Sequence, residues 1–104
     1  MIQIISLKRI TPACPSQWEG TTADGETILI RYRSTFSVSY MRPPILENHR
    51  FRLDPIFERN LTAEDFGDGE PYDDSFVEFP TARSVLAMAD ILVILDDGDI
   101  PDEF

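Results

Sequence analysis

Apolar and polar residues alternate through most of the first forty positions. Ile2, Ile4, Ile5, Leu7 and Ile10 form a β-branched opening strand that stops at Thr11-Pro12-Ala13-Cys14-Pro15, where two prolines remove backbone donors. A second strand is expected over 16–22. Ala23-Asp24-Gly25-Glu26 follows, and Asp-Gly between two extended runs favours the positive backbone angles of a hairpin turn. Over 27–33, Ile28, Ile30 and Tyr32 share one face while Leu29, Arg31 and Arg33 share the other. After a turn at Ser34-Thr35, Phe36, Val38 and Tyr40 alternate with Ser37, Ser39 and Met41. This pattern predicts a β-meander over 1–41 with one apolar and one polar face.

The alternation ends at Arg42-Pro43-Pro44. Residues 42–80 are expected to be long connections, the first of them, with Ile45, Leu46, Phe51, Leu53, Ile56 and Phe57 scattered through it, irregular or holding one short extra strand. Thr62-Ala63-Glu64-Asp65 has the residues to cap a short helical turn. Thr81 reads as the N-cap of a helix over 82–89 that turns Val85, Leu86 and Ala89 toward the sheet. Residues 91–95 read as a final buried strand, and 96–104 as an acidic tail. The fold class expected is therefore α+β: a four- to five-stranded, mainly antiparallel sheet with one packed helix, in a single domain over 1–104.

Composition narrows the function classes. The 104 residues hold nine Lys+Arg and nineteen Asp+Glu, for a formal charge of -10, which argues against direct nucleic-acid or anionic-membrane binding. The charge is uneven. Residues 1–59 carry eight bases and six acids, whereas 60–104 carry thirteen acids and one base, Arg83. The longest apolar run, at 91–95, falls far short of the roughly 20 residues of a membrane span. The opening Met1-Ile2-Gln3-Ile4-Ile5 has no basic region ahead of a long apolar stretch, so a cytoplasmic location is expected by default. A lone cysteine, Cys14, cannot form an internal disulfide.

Catalytic chemistry finds little support. One histidine, His49, and one cysteine, Cys14, have no spacing that makes them a nucleophile and its base. Counting an EF-hand from Asp68 puts Asp73 where glycine is needed and Phe79 where the bidentate glutamate is needed, so the calcium loop fails. Walker, Gly-x-Gly-x-x-Gly and Gly-x-Ser-x-Gly patterns are missing. Neither an enzyme nor a cofactor or metal is expected.

Binding remains. Glu64, Asp65, Asp68, Glu70, Asp73, Asp74 and Glu78 are interleaved with Phe66, Tyr72 and Phe76. Carboxylates can steer toward and pair with Lys and Arg while rings supply buried area, so Glu64, Asp65, Asp68, Glu70, Tyr72, Asp73, Asp74 and Glu78 are the candidate contact residues for a basic partner. The alternative is that the rings turn inward and the acids serve solubility. Arg31 and Arg33 are similarly open, between a partner and the neutralisation of the acidic half.

Residues 14 to 20, Cys-Pro-Ser-Gln-Trp-Glu-Gly, with Asp24-Gly25 and Ile30-Arg31-Tyr32-Arg33, resemble a segment of short uncharacterised bacterial and phage proteins. That resemblance spans about a quarter of the chain and implies a Trp-bearing strand, a tight turn and a returning strand, with Trp18 as a core anchor. By type, the chain also resembles the small acidic inhibitors that phages direct at host defence, anti-CRISPR proteins among them. This implies occlusion of a basic surface on a larger bacterial protein, as a DNA mimic or by steric block. Two other readings stay open, a general interaction module and a carboxylate- or metal-dependent hydrolase.

Overall fold

A computed structural model describes residues 1–11, 15–42, 52–67 and 69–94. Cys14, His49, Asp68, Leu95 and the acidic tail lie outside the described residues. Among the described residues, six strands form one mixed sheet in the order β5-β4-β3-β2-β1-β6. Strands β1 (Ile2–Thr11), β2 (Ser16–Thr22), β3 (Thr27–Arg33) and β4 (Thr35–Arg42) make the antiparallel meander, with Gly25 at φ 86° in the turn between β2 and β3. Trp18, Ile28, Ile30, Tyr32, Phe36 and Val38 are buried on one face, as their alternation requires. Cross-strand registers stack them in rows, one running Arg9, Trp18, Ile30, Val38, Phe57 and another Ser16, Tyr32, Phe36. Each aliphatic side chain fully withdrawn from water here contributes about 1.5–3 kcal/mol.

The class is α+β, and four details differ from expectation. The connection after β4 yields a full strand, β5 (Arg52–Arg59), antiparallel to β4. Its charges and Pro55 hide the period of two, and proline is tolerated on an edge strand beside the register shift between Val38 and Ser39. The sheet thus has six strands instead of four or five. The last strand, β6 (Ile91–Val93), pairs parallel to β1 at the opposite edge, with Ile91 and Val93 buried but Leu92 38% exposed, so it is only half covered.

The helix, α1 (Phe79–Met88), begins earlier than Thr81 because Pro80 fits its first turn, and Glu78 is its N-cap. Thr81, Ala82, Val85 and Leu86 form its buried stripe. At its other end Asp90 takes the left-handed conformation, φ 59°, that closes a helix. The Asp90 carbonyl accepts from Ile2 N–H at 3.1 Å, which delivers the chain into β6 beside β1.

Candidate functional site

The described residues of 60–78 have no ladder between β5 and α1, and side chains help decide where they lie. Leu61 and Val77 are buried in the core, and Phe66 packs against it. The first stretch is a 3₁₀ turn at Ala63–Asp65 closed by a capping box, in which Asp65 Oδ2 accepts from the Thr62 amide at 2.8 Å. Arg59 Nη2 donates to Asp65 Oδ1 at 2.8 Å, and that bond above all holds the Asp65 carboxyl below its ordinary value.

The second stretch is fastened to the sheet at three successive points. Tyr32 Oη donates to the Asp73 carbonyl at 2.5 Å, Ser34 N–H to the Asp74 carbonyl at 2.5 Å, and Ser16 N–H to the Ser75 carbonyl at 2.8 Å. Ser16 Oγ then accepts from Val77 N–H at 2.9 Å and donates to the Val77 carbonyl at 3.3 Å. Burial is the largest reason that the Tyr32 hydroxyl is pushed up to about 12, with the negative surroundings of Tyr72, Asp73, Asp74 and Asp65 adding to it.

Arg9 joins the sheet to this segment through an aromatic ring. It is 4% exposed, with its guanidinium 4.8 Å from the Trp18 ring centre and 5.0 Å from that of Phe76, and Nη2 donates to Ser16 Oγ at 3.1 Å. The cation lies between one ring from the sheet and one from the acidic segment, an arrangement that holds a charge out of water at reduced cost. Trp18 is the buried anchor expected of it, though its Nε1–H has no hydrogen-bond partner. Arg9 escapes sequence reading because a register shift between Arg9 and Thr11 and one between Ile4 and Ser6 interrupt the alternation of β1.

The candidate residues divide into two groups. Asp65, Glu70 and Asp73 spend their carboxylates on the chain itself. Glu70 Oε2 accepts from Glu78 N–H at 2.7 Å and Oε1 from Thr81 Oγ1 at 2.5 Å, so a distant side chain caps α1. Asp73 Oδ1 accepts from the amides of Ser75 and Phe76 at 2.7 and 2.9 Å. Glu64, Asp74 and Glu78 are exposed, and Asp74 has only a 3.3 Å bond from Ser75 Oγ. Tyr72 is 54% exposed and stands edge-on to Phe66 at 5.4 Å, which in turn lies 6.3 Å from Tyr32. Of the three rings in the segment, Phe66 and Phe76 are half-buried and Tyr72 is left outside.

Among the described residues, Asp65 is the one acid of this segment that pairs with a base, Arg59. No group of three His, Cys, Asp or Glu side chains among the described residues could hold a metal ion, and no described helix is long and apolar enough to cross a membrane. No protein-family model, curated protein or solved structure matches this chain.

Proposed function

We propose that this chain is a non-catalytic binding protein that occludes a basic surface of a larger bacterial protein, as a phage or mobile-element inhibitor of a nucleic-acid-handling defence complex. The observation that carries the reading is the combination at residues 64–78: a backbone pinned to the sheet at Asp73, Asp74 and Ser75, with Tyr72, Glu64, Asp74 and Glu78 exposed and, among the described residues, no base paired with these acids. A pre-ordered segment loses little entropy on binding. An exposed ring braced by a second ring is a rigid anchor of the kind that dominates interface energies. Exposed carboxylates on the same segment accelerate encounter with a cationic face and oppose an anionic one.

The test is capture from a bacterial lysate with three proteins: wild type, Tyr72→Ala, and a variant with Glu64, Asp74 and Glu78 all changed to Lys. Asp65, Glu70 and Asp73 are left alone because their loss would disturb the segment itself. Recovery of a nucleic-acid-binding complex by wild type, its loss with the lysine variant and its displacement by duplex DNA are the expected results. Equal recovery by wild type and the lysine variant, or no recovered complex, overturns the proposal.

A further inference from the structure

The sheet has a second face, turned away from α1 and the acidic segment, and its charge runs against that of the molecule. Arg31 and Arg33 are alternate residues of β3, so they project from this face about 7 Å apart along the strand. Both are exposed, and neither has an acid within 4.0 Å among the described residues. In a chain with nineteen acids and nine bases, two adjacent guanidinium groups left unpaired are unexpected. The antiparallel register sets a hydroxyl across from each, Ser37 opposite Arg31 and Thr35 opposite Arg33. These four residues and Glu58 line an open groove of about 300 Å³.

We propose that this groove binds a single tetrahedral phosphate group, free or as the monoester of a small molecule. Guanidinium forks match phosphate oxygens two at a time, so the two arginines supply the coordination, while the Thr35 hydroxyl donates to Asn60 Oδ1 at 2.9 Å and the Ser37 hydroxyl to the Arg31 carbonyl at 3.4 Å. Glu58, next in the row beyond Ser37, bounds the groove on its far side and repels a second anionic group. A polyphosphate or nucleic-acid strand is disfavoured by Glu58 and by the charge of -10. A neighbouring groove on the same face, lined in part by Lys8, Glu19 and Thr27, lacks this character because its lining holds one base and one acid, set opposite each other in the β1–β2 register. The inference is independent of the binding role of residues 64–78.

The experiment is an NMR titration of the full chain with inorganic phosphate and, separately, phenyl phosphate, each matched in ionic strength by chloride. Saturable shifts confined to the Arg31 and Arg33 side-chain Nε–H groups and the amides of Thr35 and Ser37 are expected. Arg31→Gln and Arg33→Gln each weaken binding about tenfold, and Glu58→Gln tightens it about threefold. Saturation by inorganic phosphate marks the free anion as ligand, and saturation by phenyl phosphate alone marks an ester. Shifts that chloride reproduces, or Gln variants that bind like wild type while keeping their spectra elsewhere, overturn the proposal.

Discussion

Strands β2 to β4 satisfy their backbones on one another, through registers that run unbroken from Ser16↔Tyr32 to Thr21↔Thr27 and from Thr27↔Met41 to Arg33↔Thr35. The described residues of 60–78 have no such ladder. Apart from two main-chain bonds to the sheet, at Asp74 and Ser75, they rest on single side chains, Ser16, Tyr32, Glu70 and Asp73, each serving backbone or side-chain groups that would otherwise be unmet. A ladder distributes its stability over many equivalent bonds, so one substitution removes little of it. The covering segment concentrates its attachment in few atoms, and those atoms should be the sensitive ones.

Ser16→Ala is the most direct way to break this contrast. It leaves the Val77 N–H unpaired in the core and takes a partner from the buried Arg9 guanidinium. A loss of about 1–3 kcal/mol is expected from leaving such groups unsatisfied. Denaturant unfolding measures it, and amide exchange at Val77 should quicken while exchange at Ile30, deep in the ladder, should change only by the global loss. An unchanged midpoint would mean that the covering segment does not depend on Ser16.

Glu70→Ala comes next, since the carboxylate caps α1 from outside the helix. A loss of about 1 kcal/mol is expected, in the range of N-cap removal. Glu70→Gln should recover part of it, because one acceptor oxygen survives. If thermal unfolding of both variants matches wild type, water serves the helix end equally well.

Tyr32→Phe removes the bond to the Asp73 carbonyl at a cost of about 0.5–1.5 kcal/mol at neutral pH. The hydroxyl also makes stability depend on alkali. Its folded value of about 12 lies above the ordinary 10.0, so the neutral form is favoured in the folded state. The stability this provides is complete below pH 10 and is lost as pH rises toward 12, because the unfolded chain releases the proton first. Wild type should therefore lose stability over that interval more steeply than Tyr32→Phe, and parallel curves would contradict the assignment. Asp65 acts at the opposite end: its lowered value adds stability above about pH 4 that disappears on further acidification.

The meander was legible because its signals are local. Alternation and the Asp24-Gly25 turn placed β2 and β3 at their observed bounds and assigned Ile28, Ile30 and Tyr32 to the core face. β5 was obscured by Pro55 and by a register shift that no local pattern announces. The candidate segment was legible as a composition and illegible as a structure. Seven acids between 64 and 78 look equivalent in sequence, yet Glu70 finds Thr81 and Asp73 finds Phe76 only when the backbone has already turned back on itself. Arg9 counts as one more surface base until folding sets it between Trp18 and Phe76.

The smallest expected effect is the sharpest test of the division among the acids. Changing Glu64, Asp74 and Glu78 together to Lys replaces three negative charges with three positive ones, yet stability should move by no more than about 0.5 kcal/mol. All three are exposed, none is paired with a base among the described residues, and the Glu78 side chain makes no capping bond at the helix it precedes. Relief of mutual repulsion in so acidic a chain acts in the stabilising direction and offsets small losses. A fall comparable to that of Ser16→Ala would show that these carboxylates hold the segment, and loss of partner binding in the same variant would then reflect a displaced segment. With stability unchanged, loss of binding reports directly on the charged face.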